Sequence, residues 1–162
     1  MTEEGRYAMK KNCFLFSFFV FLLAACSQSG VKADVPNTPQ AKAAQVLVEQ
    51  YIHALTTYDF APLDSLLSDD YVYTDYGRFV RPESKDNLIL LLQEDMSTRS
   101  YKVEFPAYTV TSDGRFAVLQ AIYSEKSPAT GKWVSAPMYD VVEIKDGKII
   151  AETMYYNKEN YH

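Results

Sequence analysis

Apolar residues change their spacing along this chain, and each change marks a different kind of element. A nearly unbroken apolar run covers residues 13–23. Helical spacing follows over residues 44–58, and two-residue alternation dominates after Met96. Thr38-Pro39 reads as a helix cap with Pro in the first turn. Ala44, Leu47, Val48, Tyr51, Leu55 and Tyr58 then recur at helical spacing, which predicts a first helix ending near Thr57. Asp59 is placed to cap a second, short helix carrying Phe60, Leu63, Leu66 and Leu67, with Asp69-Asp70 breaking it. Residues 71–76 predict a short strand rich in β-formers, and 77–82 a loop. Ser84 is placed to cap a third helix, whose run from Leu88 to Leu92 predicts burial nearly all round.

The second half predicts long strands. Tyr101, Val103 and Phe105 alternate with Lys102 and Glu104, and Pro106 marks a bend or bulge. Ser112-Asp113-Gly114 is a turn before a strand over 116–123. Residues 128–131 form a loop before a strand over 133–144. Asp146-Gly147 is a hairpin signal before a last strand over 148–156. Three helices around one short strand, followed by an antiparallel meander, predict an α+β domain.

The first apolar run is not part of that domain. Lys10 and Lys11 precede it, and Leu23-Ala24-Ala25-Cys26 closes it. A basic start, an apolar core about half the roughly 20 residues of a membrane-spanning helix, and small residues before a Cys resemble a bacterial lipoprotein signal. The resemblance implies cleavage after residue 25 and lipid on Cys26. The acidic, polar Thr2-Glu3-Glu4-Gly5 does not suit such a signal, so the natural start is expected at Met9. An uncleaved anchor helix is the alternative, and the shortness of the run argues against it. With no Asp beside Cys26, the usual sorting pattern implies the outer rather than the inner membrane of a cell envelope.

Cleavage would remove Cys13 and leave Cys26 as the sole cysteine, so neither a disulfide framework nor a cysteine metal site is expected. The remaining chain carries a net charge of −6, from 13 basic and 19 acidic residues. That balance argues against nucleic acid and against electrostatic docking on anionic lipid. Residues 26–38 are read as the lipidated Cys and a flexible polar tether, and 39–162 as one domain with its own core.

Tyr139-Asp140-Val141-Val142-Glu143-Ile144-Lys145-Asp146-Gly147-Lys148-Ile149-Ile150 closes the domain. Earlier come Tyr51-Ile52-His53-Ala54-Leu55, Asp59 and Leu66-Leu67-Ser68-Asp69-Asp70. With the order of elements, these segments resemble SnoaL-like proteins of the nuclear transport factor 2-like superfamily, which includes ketosteroid isomerases. The resemblance covers about residues 40–158. It implies a cone of three helices on a curved antiparallel sheet, with a pocket inside.

By that resemblance Tyr51 matches a helix tyrosine that donates to the reacting oxygen. Asp75 matches the carboxylate that moves the proton, and Asp140 a second donor kept neutral by an apolar site. Strand parity agrees: Tyr71, Tyr73 and Asp75 share one face, and Met138, Asp140, Val142 and Ile144 another. A structural role for all three residues is the competing reading. Tyr76 stands after Asp75 where the isomerases carry Pro. Tyr71, Tyr73, Trp133 and Met138 are candidate pocket-lining residues. His53 lies about 200° round the helix from Tyr51 and should face solvent. Neither it nor His162 belongs to a metal-ligand spacing, and no cofactor motif appears.

These observations support a lipoprotein whose domain binds a small, largely apolar molecule. One alternative is an isomerase, cyclase or dehydratase with Asp75 as general base. Another is an interaction module of an envelope complex, for which the pocket would be plugged. The strand over 116–123 is apolar on both faces, with Val118 and Ile122 opposing Leu119 and Ala121. Something should cover the second face, so a homodimer through the sheet is expected.

Overall fold

A computed structural model describes residues 30–76, 83–98, 101–127 and 129–156, with backbone alone over 95–98. The signal, Cys26, the 77–82 loop and His162 lie outside the described residues. The elements are β1 (Lys32–Asp34), α1 (Pro39–Thr57), α2 (Leu63–Leu66), β2 (Leu67–Asp75), β3 (Glu83–Ser84), α3 (Lys85–Thr98), β4 (Tyr101–Val110), β5 (Phe116–Lys126), β6 (Trp133–Lys145) and β7 (Lys148–Tyr156). The described strands form one curved, unclosed sheet in the order β1-β4-β5-β6-β7-β2-β3. The helices pack on its inner face.

Local chemistry explains most boundaries. The Ala41 amide donates to Thr38 Oγ1 at 3.1 Å, and Tyr58 closes α1 in the left-handed region. The Asn87 amide reaches Ser84 Oγ at 3.4 Å at the start of α3. Asp146 and Gly147 both have positive φ, as a two-residue turn between β6 and β7 requires. Gly114 turns the chain between β4 and β5 against the backbone of Gln40, where a Cβ would lie 2.5 Å from the carbonyl oxygen.

Four expectations change. Asp59 does not cap α2, whose cap position is Pro62 without a side-chain bond. Asp69 and Asp70 lie inside β2, which begins at Leu67. Leu90 on α3 is 62 % exposed, so that helix buries one side rather than its whole surface. The polar stretch read as tether contains β1, which pairs in parallel with β4, while Val31 and Val35 pack on the core. Free backbone at the edge of β4 gives even a polar segment a reason to be ordered.

Three register shifts shape the sheet. One lies between Glu104 and Ala107, around Pro106. Another separates Leu67 from Val72 in β2. The third lies between Glu143 and Ile144, where Glu143 faces Ala151 but Ile144 faces Ile149. An extra residue on β7 reverses the parity of everything beyond it. Ile149 and Glu152, three positions apart, are therefore both buried.

Candidate functional site

The inner face is filled at one end of the sheet and hollow at the other. At the hollow end a cavity of about 100 Å³ is walled by Leu55 of α1, Leu88, Leu91 and Leu92 of α3, and Val103, Phe105 and Tyr123 of β4 and β5. Its polar lining comes from three adjacent strands. Asp140 on β6 and Asp75 on β2 both pair with Met154 of β7, one from each side. One rung away, Tyr73 and Val142 flank Glu152 in the same manner. Tyr51 reaches the cavity from α1. Tyr51, Asp75 and Asp140 therefore meet at one cavity, together with the expected Tyr73 and Met138.

The other two expected lining residues sit elsewhere. Tyr71 is buried and is not part of the cavity lining, but its hydroxyl donates to Glu152, which is. Trp133 has the outward parity of Tyr139, is 40 % exposed, and lies under the ammonium groups of Lys102 and Lys126 at 4.5 and 5.5 Å. His53 faces solvent, as its helical angle required.

Glu152 is the residue that sequence reasoning missed. It is 3 % exposed, and its Oε2 accepts hydrogen bonds from Tyr51 and, at 2.7 Å, from Tyr71. Simple alternation from Ile149 would turn it to solvent; the bulge turns it inward. The apolar triplet Ile149-Ile150-Ala151, which interrupts alternation, was the available signal. The Tyr51 hydroxyl is thus committed to a buried carboxylate rather than left free for a reacting oxygen. Without such donors that carboxylate would be buried at high cost. Asp75 is buried as well, at 3 % exposed.

Burial pushes the Asp140 carboxyl well above the ordinary aspartate range, and the charges of Glu152 and Asp75 add to the effect. Burial also raises Glu152, but its two phenol donors oppose that shift by favouring the charged form. Asp140 Oδ1 has no hydrogen-bond partner among the described residues. The acids are therefore unequal: the phenol donors temper the rise at Glu152, whereas Asp140 is pushed further up and favours the protonated, donating form. Burial, then the Glu152 charge, likewise keeps Tyr51 and Tyr71 protonated.

Residues 48–152 match the family profile of the SnoaL-like domain. The chain belongs to the SnoaL-like family. No curated protein sequence matches it. Solved structures share the fold at low identity. A candidate polyketide cyclase from Xanthomonas campestris pv. campestris is 18 % identical with a TM-score of 0.64, the alignment covering 75 % of this chain and 96 % of that one. IdmH from Streptomyces antibioticus, described as a candidate polyketide cyclase, is 14 % identical with a TM-score of 0.63, over 73 % and 94 %. An LEH-like epoxide hydrolase from M. tuberculosis is 22 % identical with a TM-score of 0.61, over 79 % and 86 %.

Proposed function

We propose that this SnoaL-like protein is exported, anchored by lipid on Cys26 to the outer membrane of a bacterial envelope, and binds a small, largely apolar molecule in its cavity. The observation that carries the binding reading is Asp140: a buried carboxyl, one of whose oxygens has no partner among the described residues, on the wall of an otherwise mostly apolar cavity. Empty apolar space with a few convergent polar groups is the usual form of a small-molecule site. A plugged interior, which the interaction-module reading needed, is at odds with this cavity.

The binding reading is tested by native mass spectrometry of protein purified from its own host. A bound small molecule, lost in Asp140→Ala, is expected; empty protein that no small-molecule library stabilises thermally would overturn it. The anchor is tested by fatty-acid labelling. Cys26→Ala should abolish incorporation, and equal labelling of both forms would refute the lipoprotein reading.

A second reading is an isomerase, cyclase or dehydratase. It is favoured by Asp75 and Asp140 opening on one cavity from opposite sides of Met154. Asp75 as carboxylate would take a proton from carbon beside a carbonyl. Asp140 would hydrogen-bond the developing enolate, and the proton would return at another carbon. Asp75→Asn should then abolish turnover and leave ligand binding largely intact. Retained turnover would exclude this assignment.

A further inference from the structure

We propose that one end of the sheet, carrying Trp133 with Lys102, Lys126 and Lys132, docks on the bilayer that takes up the Cys26 lipid: the indole lies among the lipid headgroups and the ammonium groups reach their phosphates. This deepens the envelope reading above and rests on its lipid anchor.

The first support is the shortness of the tether. β1 pairs in parallel with β4, Lys32 beside Ala107, so the chain before Lys32 heads toward Tyr101, where β4 begins. The six residues from Cys26 to Lys32 span at most about 20 Å when fully extended. The five residues from Ala107 back to Lys102 cover at most about 17 Å of strand. A lipid on Cys26 therefore clears that end of the sheet by very little. The bilayer that takes up the lipid must lie close against the domain.

The chemistry of that end suits a lipid surface. Lys126 pairs with Trp133 between β5 and β6, and Lys102 reaches over from β4. The Lys102 ammonium lies 4.5 Å from the indole centroid and that of Lys126 5.5 Å, and Lys132 precedes the ring in the chain. All four residues are exposed. An indole is amphipathic and settles at the boundary of water and lipid. Lys stems lie along apolar surface and carry the ammonium to the phosphates. The acidic neighbours are Glu104, on the outward side of β4, and Glu125, which shares the parity of the cavity-lining Tyr123.

The opposite end of the same edge is of another kind. Asp34 and Asp113 are exposed there, and Arg115 is engaged by Glu143 at 3.7 Å. The net charge of −6 repels anionic lipid from the domain as a whole. The lysines therefore orient the domain, and the Cys26 lipid holds it. Tyr101, Val103 and Tyr123 of the lysine-bearing end also line the cavity, which brings the site for an apolar molecule toward the bilayer.

The test uses the full chain purified from host membranes and reconstituted into vesicles of phosphatidylethanolamine and phosphatidylglycerol. Trp133 is the sole Trp of the sequence, so its fluorescence reports on this site alone. Lipids brominated near the headgroup end of their acyl chains are expected to quench most of the emission, and acrylamide in the water to quench little. Lys102→Glu combined with Lys126→Glu should reverse that order while the protein still floats with the vesicles. Should the double variant misfold, the quenching of the unaltered chain decides the matter alone. Protein that floats while Trp133 stays open to acrylamide and untouched by the brominated lipid overturns the docking and leaves the lipid anchor standing. Shielding from both quenchers marks a protein contact at Trp133, a second copy included, and overturns it too. Unchanged lipid quenching in the folded double variant removes the lysines' role and with it the proposal. Protein that does not float has no anchor, and both inferences fail.

Discussion

The two ends of the sheet's inner face are built from the same strands and yet behave differently. Along β6 the inward residues run Ile144, Val142, Asp140, Met138; along β7, after the bulge, Glu152, Met154, Tyr156; along β2, Tyr71, Tyr73, Asp75. At one end Leu67, Val110, Val142 and Ile149 close with Val48 and Leu63 into a dry core, each 1 % exposed or less. At the other end the same faces open onto a cavity ringed by acids and tyrosines. Glu152 and its two phenol donors mark the boundary. The dry end needs only shape and apolarity, and so carries stability. The hollow end holds carboxyl groups that a core would exclude, at a cost in stability that points to use.

Substitutions can break this contrast. The largest effect is expected at the dry end, where Ile149→Ala should cost about 2–5 kcal/mol of unfolding free energy, measured from urea midpoints. Met138→Ala, beside existing empty space, should cost distinctly less and change ligand affinity instead. Equal losses at both sites would mean that the two ends are not functionally separate.

At the boundary, Tyr51→Phe removes one of two donors from a buried carboxylate and should cost about 1–3 kcal/mol. A neutral result would show that Glu152 does not depend on that bond.

The pH dependence probes the hollow end. Folding raises the Asp140 carboxyl, so between its unfolded and folded pKa values the native state keeps a proton that the unfolded chain has lost. The stability linked to this group is complete below the unfolded value and is lost as pH rises through the folded one. Asp140→Asn should therefore flatten the decline and stabilise the protein at neutral pH, with Glu152 providing what slope remains. An unchanged slope would show that Asp140 does not drive it.

The smallest effect on folding is expected on the outer face, where Ile122, Tyr139 and Tyr155 are exposed and Tyr155 stacks on Tyr76 at 5.2 Å. Ile122→Lys should alter the stability of the folded chain by about 0.5 kcal/mol or less. If this face joins two copies, sedimentation of a chain starting at residue 30 should shift from dimer to monomer. A parent chain that is already monomeric at micromolar concentration would count against the dimer.

Short-range chemistry wrote much of this protein legibly. Thr38 and Ser84 cap helices, Asp146-Gly147 turns a hairpin, and two-residue alternation aims Asp75 and Asp140 inward. Each depends on neighbours within a few positions. The family resemblance added the cone and the convergence of Tyr51 with both aspartates. Tertiary structure alone decided the rest. The bulge in β7 turned Glu152 inward, which no uninterrupted alternation could show. Parallel pairing of β2 with β7 set Asp75 and Asp140 astride Met154. The need of a buried carboxylate for donors claimed the Tyr51 hydroxyl, and an open edge of β4 ordered the polar segment around Ala33. Strand order, bulges and buried partners come from segments far apart in sequence, and packing, rather than local propensity, selects among them.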